Sequence, residues 1–540
     1  MSSYPLLFKP FEIPPVQLKN RITMAPLFTM YAQGDGSVSE LILAHYSELA
    51  KGGVAMIVVA NVGVDPGGLL TRHSLRADND CYVPGLSRLA ETIKKENVAA
   101  VLQLNHGGRF ARGERLLAPS AVPLSDISLS GMYRTGLKSL DLQQQWSIVS
   151  ELIQYRSERI QAMTKSDINR VIQAFADAAV RAQKAGFDMV EIHGGTGYLP
   201  VQFLSPRTNR RSDRYGGSLE NRMRFPLELA RAVKEAVGTG FPVGYRFQAD
   251  EWISNGFGLD EAKIFARRLS ALPAAYLSVT GGTYESFADK EIMEKSHQPC
   301  YMVDLAEAIK PCVSVPVIAS GRIITPDLAE TILREDKADL IGLARPLFAD
   351  PLWPHKAETG QADSITPCID CGTCFQFLIL NQPVRCTQWE KDKRVHRQRV
   401  IRDMLKPNRK ILIALDGSEN AAMGAAYAGD ILAGRRDVLV TLLHIRTGES
   451  AQNEQDVRKI MDISRDVLIK AGIPAEAISI QFRDKKTGIA RDILDEIETG
   501  EYGTVIVGRR GLSRAKQFLF GSVSNKIVHN TKDCTVWVVD

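Results

Sequence analysis

Four cysteines, Cys368, Cys371, Cys374 and Cys386, stand in a C-x2-C-x2-C-x11-C pattern, while the other four of the chain's eight are scattered. Three closely spaced thiolates with a distant fourth suit a cubane [4Fe-4S] cluster, in which a short loop wraps three irons and the last ligand closes the site. Structural zinc more often takes two separated C-x2-C pairs. The cluster is therefore the leading reading, with zinc and redox-active thiols as its alternatives. A second group of chemically useful residues lies upstream: Gln103 and His106, His193, Arg246, Thr280 with Gly281, Gly321 with Arg322, and Arg345. Each falls at the carboxyl end of an apolar run.

Those runs are the elements that must position the site. Eight occur in the first 350 residues, at 20–27, 54–64, 99–106, 187–194, 241–248, 274–282, 315–322 and 338–347, each followed by a stretch of helical periodicity. Short, nearly continuous apolar runs suit parallel strands covered on both faces. Eight strand-helix units predict a TIM (β/α)8 barrel, whose active site sits on the carboxyl rim; a doubly wound open sheet is the poorer alternative.

Two stretches interrupt the rhythm. Residues 122 to about 160 are long for a loop and hold an amphipathic segment, LDLQQQWSIVSELIQYRSERI, expected to be helical and to act as a lid or a subunit contact. The basic run at 391–408 reads as a solvated linker after a barrel domain of 1–390. From 409 to 540 five strand runs alternate with four helical stretches, which predicts a compact doubly wound five-strand α/β domain.

Composition bounds the partners. The 540 residues are 44% hydrophobic and 24% charged, which excludes disorder as the main state. A net charge of +5 over this length gives no argument for nucleic acid. No apolar run approaches the ~18–20 residues that span a bilayer, and the amino terminus lacks a secretory pattern. A cytoplasmic protein without membrane insertion is expected, a setting that disfavours disulfides.

The segment HGGTGYLPVQFLSPRTNRRSDRYGGSLENRMRF (193–225), with LKNRITMAPL, QLNHGGR (103–109), AGFDMVEIH (185–193), ASGR (319–322) and LARPLFADP (343–351), resembles the old yellow enzyme family of FMN-containing barrels, and these motifs cover nearly all of 1–390 in order. With the cysteine pattern just after the eighth unit, the chain is similar to the branch holding 2,4-dienoyl-CoA reductase and trimethylamine dehydrogenase, whose barrels carry FMN beside a [4Fe-4S] cluster. The resemblance implies an FMN site formed by Ala25, Pro26, Thr29, Gln103, Arg246, Gly321, Arg322, Ala344 and Arg345. Arg246 would stabilise the anionic reduced flavin, Gln103 would pair with the pyrimidine edge, and Thr29 would donate to the flavin O4. Gly321, Arg322, Ala344 and Arg345 would hold the phosphate.

His193, Thr196 and Tyr198 are the implied substrate triad. Family members often have His or Asn where Thr196 stands, so activation of a substrate carbonyl leans on His193, and Tyr198 is the general acid. Reduction of an activated C=C bond, an enone or enoyl thioester, follows from the resemblance. The alternatives are an amine-type dehydrogenase that passes electrons out through the cluster, and a redox- or nucleotide-sensing regulatory protein. The branch usually carries two more nucleotide-binding domains, but no G-x-G-x-x-G occurs here. NAD(P)H at the barrel mouth or a redox partner protein is then the expected electron donor to a site for a small-molecule substrate.

The 409–540 region resembles the universal stress protein family. Its G-x2-G-x9-G-S motif is Gly508, Gly511, Gly521 and Ser522, and Asp416 matches the position that contacts the nucleoside in ATP-binding members. The resemblance implies ATP or AMP binding, against a plain tight turn in a dimerising domain. The final run CTVWVV, apolar on both faces, is expected to pair across a homo-oligomer edge.

Overall fold

In a computed structural model the described residues are 3–112, 115–123, 159–272, 274–404, 410–416, 419–433, 438–447, 451–500, 502–508, 522–531 and 534–539. They fall into two compact units, Met1–Ile401 and Arg402–Asp540.

The first unit is a closed barrel of eight parallel strands: β1 (Ile22–Met24), β2 (Met56–Gly63), β3 (Ala99–Asn105), β4 (Met189–Gly194), β5 (Val243–Asp250), β6 (Ala274–Gly281), β7 (Val317–Ala319) and β8 (Leu340–Leu343). Seven strands lie inside the predicted runs, and β5 extends two residues past the run at 241–248. Every residue of β2 and β3 is buried, which is why these segments lack the alternation of a half-exposed strand. An antiparallel hairpin, Phe11–Ile13 with Val16–Leu18, brings Ile13 and Leu18 into one apolar cluster with Met56, Ala99, Met189 and Leu340 at the strand starts. That end of the barrel is filled, and the opposite end is left for chemistry.

The covering helices show ordinary sequence logic. Lys165–Lys184 opens with a capping box between Thr164 and Asp167 and buries, among others, Ile168, Val171, Phe175, Ala178 and Ala182, spaced three to four apart. The predicted insertion is bracketed by a small parallel pair, Leu116–Ala118 with Ile160–Ala162; its amphipathic segment lies outside the described residues.

The basic stretch expected as a linker is helical over Lys391–Met404. Ile401 and Arg397 are buried, Arg397 reaching Leu41 O and pairing with Glu48, which Lys393 also contacts. A charge run read as solvated thus docks on the barrel unit, because its cations meet a carboxylate and its sparse apolar residues find cover.

The second unit is an open parallel sheet of β9 (Lys410–Ala414), β10 (Leu439–Arg446), β11 (Ile478–Asp484), β12 (Thr504–Gly508) and β13 (Thr535–Val539), ordered β11-β10-β9-β12-β13. Helices Glu419–Ile431, Ala451–Lys470, Ile489–Gly500 and Ser522–Asn530 cover it. Along β9 the side chains alternate: Ile411 and Ile413 enter one apolar cluster, Leu412 the other. The sheet is doubly wound, and the order reverses between β9 and β12. CTVWVV supplies the edge strand β13, paired with β12. Among the described residues no helix is long and apolar enough to cross a membrane.

Candidate active site at the carboxyl rim of the barrel

His193 is the penultimate residue of β4 and is buried, with no hydrogen-bond partner for Nδ1. Burial, with Arg246 adding to it, holds this imidazole down at about 3, so it is neutral at physiological pH. Tyr198 lies just before the short helix Leu199–Leu204, edge-on to His193 with ring centroids 4.8 Å apart. Its hydroxyl is 2.6 Å from that of Tyr284, which follows β6. Burial, reinforced by the bond to Tyr284, keeps the Tyr198 phenol protonated well above its usual range.

The backbone between His193 and Tyr198 is specialised. A Cβ on Gly194 would fall 2.2 Å from the Tyr245 ring, so the chain passes too close for any side chain there. Thr196 takes the left-handed region at φ 57°, uncommon for a β-branched residue. Its N–H donates to Gln248 Oε1 at 2.7 Å, which holds the turn. The Thr196 hydroxyl takes no part in the described contacts among His193, Tyr198 and Tyr284.

Beside this group lies a cavity of about 120 Å³ lined by Ala25, Pro26, Arg246, Gly321, Arg322, Ala344, Arg345 and Cys368, among others. Seven of the nine residues expected at a flavin thus border one space. Gly321 (φ 112°) and Arg322 (φ 58°) make consecutive left-handed steps, and a Cβ on Gly321 would strike Met302. Arg322 Nε is buried without a partner. Two guanidiniums, an orphaned donor and a bent backbone fit the phosphate of FMN.

Gln103 and Thr29 are buried but do not line that cavity. Gln103 donates to Glu191 at 2.7 Å and accepts from Asn61 N–H at 3.3 Å, which leaves its second N–H and second lone pair. Glu191 also accepts from Tyr276 at 3.1 Å; burial raises its carboxyl, against the pull of Arg246. Arg246 donates to Ser278 at 2.7 Å.

At the cysteine loop, Cys371 Sγ lies 3.3 Å from both Thr373 Oγ1 and Thr387 Oγ1, and Gln388 N–H donates to Cys386 Sγ at 3.4 Å. Cys374 and Cys386 pack with Leu27 and Leu378 against Phe348, Val384 and Trp389. Burial pushes the Cys374 thiol to about 11 and Cys386 upward. Burial also raises Cys371, but hydrogen bonding outweighs it and leaves this thiol below its ordinary value. Among the described residues no three Cys, His, Asp or Glu side chains gather as around a single metal ion. The N–H···S bond and the apolar packing fit the cubane, since both tune cluster potentials.

In the second unit Asp416 is exposed just beyond β9, and the exposed Gly508 ends β12. The two strands are neighbours, Ala414 pairing with Val507. Gly511 and Gly521 lie outside the described residues, and Ser522 opens the helix Ser522–Asn530.

Several residues of the rim carried no motif. Tyr284, Asn61 (φ 66°, Oδ1 buried without a partner), Glu191 and Asp370 act through contacts between strands far apart in sequence. For Tyr284 a signal existed: a polar aromatic just after the sixth run, in SVTGGTYE.

The sequence pattern of the NADH:flavin oxidoreductase / NADH oxidase family matches residues 6–364. The chain belongs to that family. Residues 407–540 match the universal stress protein family, which accounts for the second unit. Among relatives of the flavin oxidoreductase barrel, a NADH oxidase of Thermoanaerobacter brockii is 40% identical over 400 residues, covering 72% of this chain and 56% of the relative. A metal reductase of Desulforamulus reducens is 38% identical over 71% of this chain and 53% of its own length. The chain thus spans about half the length of these two relatives. A NADPH dehydrogenase of a Geobacillus species is 35% identical over 69% of this chain and 99% of the relative. Among solved structures, 2-naphthoyl-CoA reductase aligns with TM-score 0.63 at 22% identity, covering 95% of this chain and 75% of that one. Histamine dehydrogenase from Rhizobium sp. 4-9 aligns with TM-score 0.59 at 24% identity over 96% and 71%. These two establish fold likeness.

Proposed function

We propose that the chain is an FMN- and [4Fe-4S]-dependent oxidoreductase that reduces an activated C=C bond of a small molecule, an enone or enoyl thioester, with NAD(P)H or a redox partner protein as electron source. The observation that carries the reading is the convergence of His193, Tyr198 and Tyr284 beside the cavity bounded by Arg246, Arg322 and Arg345. Family membership supports the flavin, and the four thiols support the cluster.

FMN, when bound, would supply hydride chemistry toward the β-carbon of the alkene, and a cluster would supply one-electron exchange. Arg322 and Arg345 would hold the phosphate, and Arg246 would offset negative charge at the pyrimidine edge. His193, neutral and with Nδ1 free, donates a hydrogen bond to the substrate carbonyl, the atom on which charge develops. Tyr198 delivers its proton to the α-carbon, Tyr284 orients it through the bond to the same oxygen, and the phenol regains a proton from solvent once product has left. One C=C bond is lost and two C–H bonds form. Burial of the whole group excludes water from the transfer.

For the second unit the proposal is ATP or AMP binding at the carboxyl ends of β9 and β12. Asp416 and Gly508 stand at the point where strand order reverses, the usual ligand crevice of an open α/β sheet. A homo-oligomer in the cytoplasm completes the reading, with β13 at the edge of the sheet among the described residues.

Anaerobically purified chain should release FMN on denaturation and carry about four irons. It should also oxidise NAD(P)H in the presence of an enone or enoyl thioester. Zinc in place of iron, or no flavin, would overturn the assignment.

A further inference from the structure

Asp370 sits inside the cysteine loop, between Cys368 and Cys371, at a left-handed φ of 55°. Its side chain is 9% exposed and points out of the loop toward the cavity's arginines. One carboxylate oxygen pairs with Arg345, and the other with Arg322 and with His297 Nδ1 at 2.5 Å. The same two arginines border the cavity, as does Cys368.

We propose that Asp370 is a positioning residue that ties the cysteine loop to the two arginines, so that an assembled loop raises the affinity of the adjoining site for the phosphate of FMN. The inference rests on the flavin reading above. Each guanidinium carries five N–H groups; the carboxylate engages one nitrogen of each and leaves the rest, including the buried, unpartnered Arg322 Nε. Two cations against one carboxylate leave a surplus of positive charge for a phosphate. An arginine side chain free in solution samples many rotamers, and ordering it opposes binding. Asp370 restricts both side chains before the ligand arrives, and it does so only where the cysteine loop places it. The left-handed backbone explains why a short polar residue stands here, since Asp, Asn and Gly adopt that conformation most readily.

The test compares FMN with riboflavin, which has the same ring and no phosphate. Each is titrated into flavin-depleted full-length chain under anaerobic conditions and followed by flavin fluorescence. Asp370→Asn and Asp370→Gly both suit the left-handed position. Each is expected to weaken FMN about tenfold or more and riboflavin less than twofold. Removing iron from the unaltered chain should weaken FMN to a similar extent, and in Asp370→Asn it should add no further loss. Unchanged or tighter FMN binding in the variants would overturn the inference, as would equal loss of both flavins or an undiminished iron effect in Asp370→Asn. Failure of the unaltered chain to bind either flavin would defeat the flavin reading as well, a result separate from the others.

Discussion

Both units are parallel sheets with their candidate chemistry at the carboxyl ends of the strands, yet they gather residues differently. Closure of the barrel brings eight strand ends to one rim, so Tyr198 after β4 meets Tyr284 after β6, and Arg322 after β7 meets Arg345 after β8 across a shared carboxylate. The open sheet has one place of convergence, the reversal between β9 and β12, where the expected nucleotide contacts Asp416 and Gly508 stand at the strand ends. The barrel rim is preorganised by burial, which displaces the protonation of His193, Tyr198 and Glu191. In the second unit the notable displaced carboxyl, Asp492, owes its position to local bonds. Burial would raise it, but bonds from Thr487, Lys486 and Gly488 outweigh that and hold it at about 2.

Acid separates the two most sharply. Burial holds His45 at about 3, His106 at about 4 and His193 at about 3 in the folded barrel, against an unfolded value near 6.5. Below pH 6.5 the unfolded chain binds more protons, so barrel stability falls with pH from there down to about 4, by several kcal/mol in sum. The Asp492 contribution is present above its unfolded value of 3.8 and fades only as pH falls toward 2. Calorimetry of the full chain between pH 7 and 4 should show the barrel transition falling while that of the second unit holds. Parallel falls in both would break the comparison.

Nucleotide should produce the smaller and opposite effect. At a hundredfold excess over Kd, ATP should stabilise the second unit by about 2.7 kcal/mol through mass action, leave the barrel transition in place, and lose its effect in Gly511→Val. A shift confined to the barrel would show that the nucleotide reading belongs to the wrong unit.

The architecture was largely legible in the sequence because buried parallel strands write themselves as short apolar runs. All eight barrel strands and all five of the second sheet coincide with such runs to within two residues. The rim was legible where a polar residue ended a run, as with His193 and Arg246. It was not legible where the pairing is tertiary. Nothing near Asp370 announces Arg322 and Arg345, and Glu191 inside an apolar strand gives no hint that Gln103 and Tyr276 satisfy it. The basic stretch 391–408 was misleading for a related reason, since its charge hid the docking of Arg397 on Glu48 and the burial of Ile401.

The central claim is that His193 and Tyr198 act on substrate while the arginine cavity holds the flavin. Anaerobic stopped-flow separates the two roles. NAD(P)H should bleach the flavin absorbance in the unaltered chain, His193→Ala and Tyr198→Phe alike. Reoxidation by an enone or enoyl thioester should slow by about 10²–10³-fold in His193→Ala and by about 10²–10⁴-fold in Tyr198→Phe. Reoxidation in both variants at the rate of the unaltered chain would contradict the assignment.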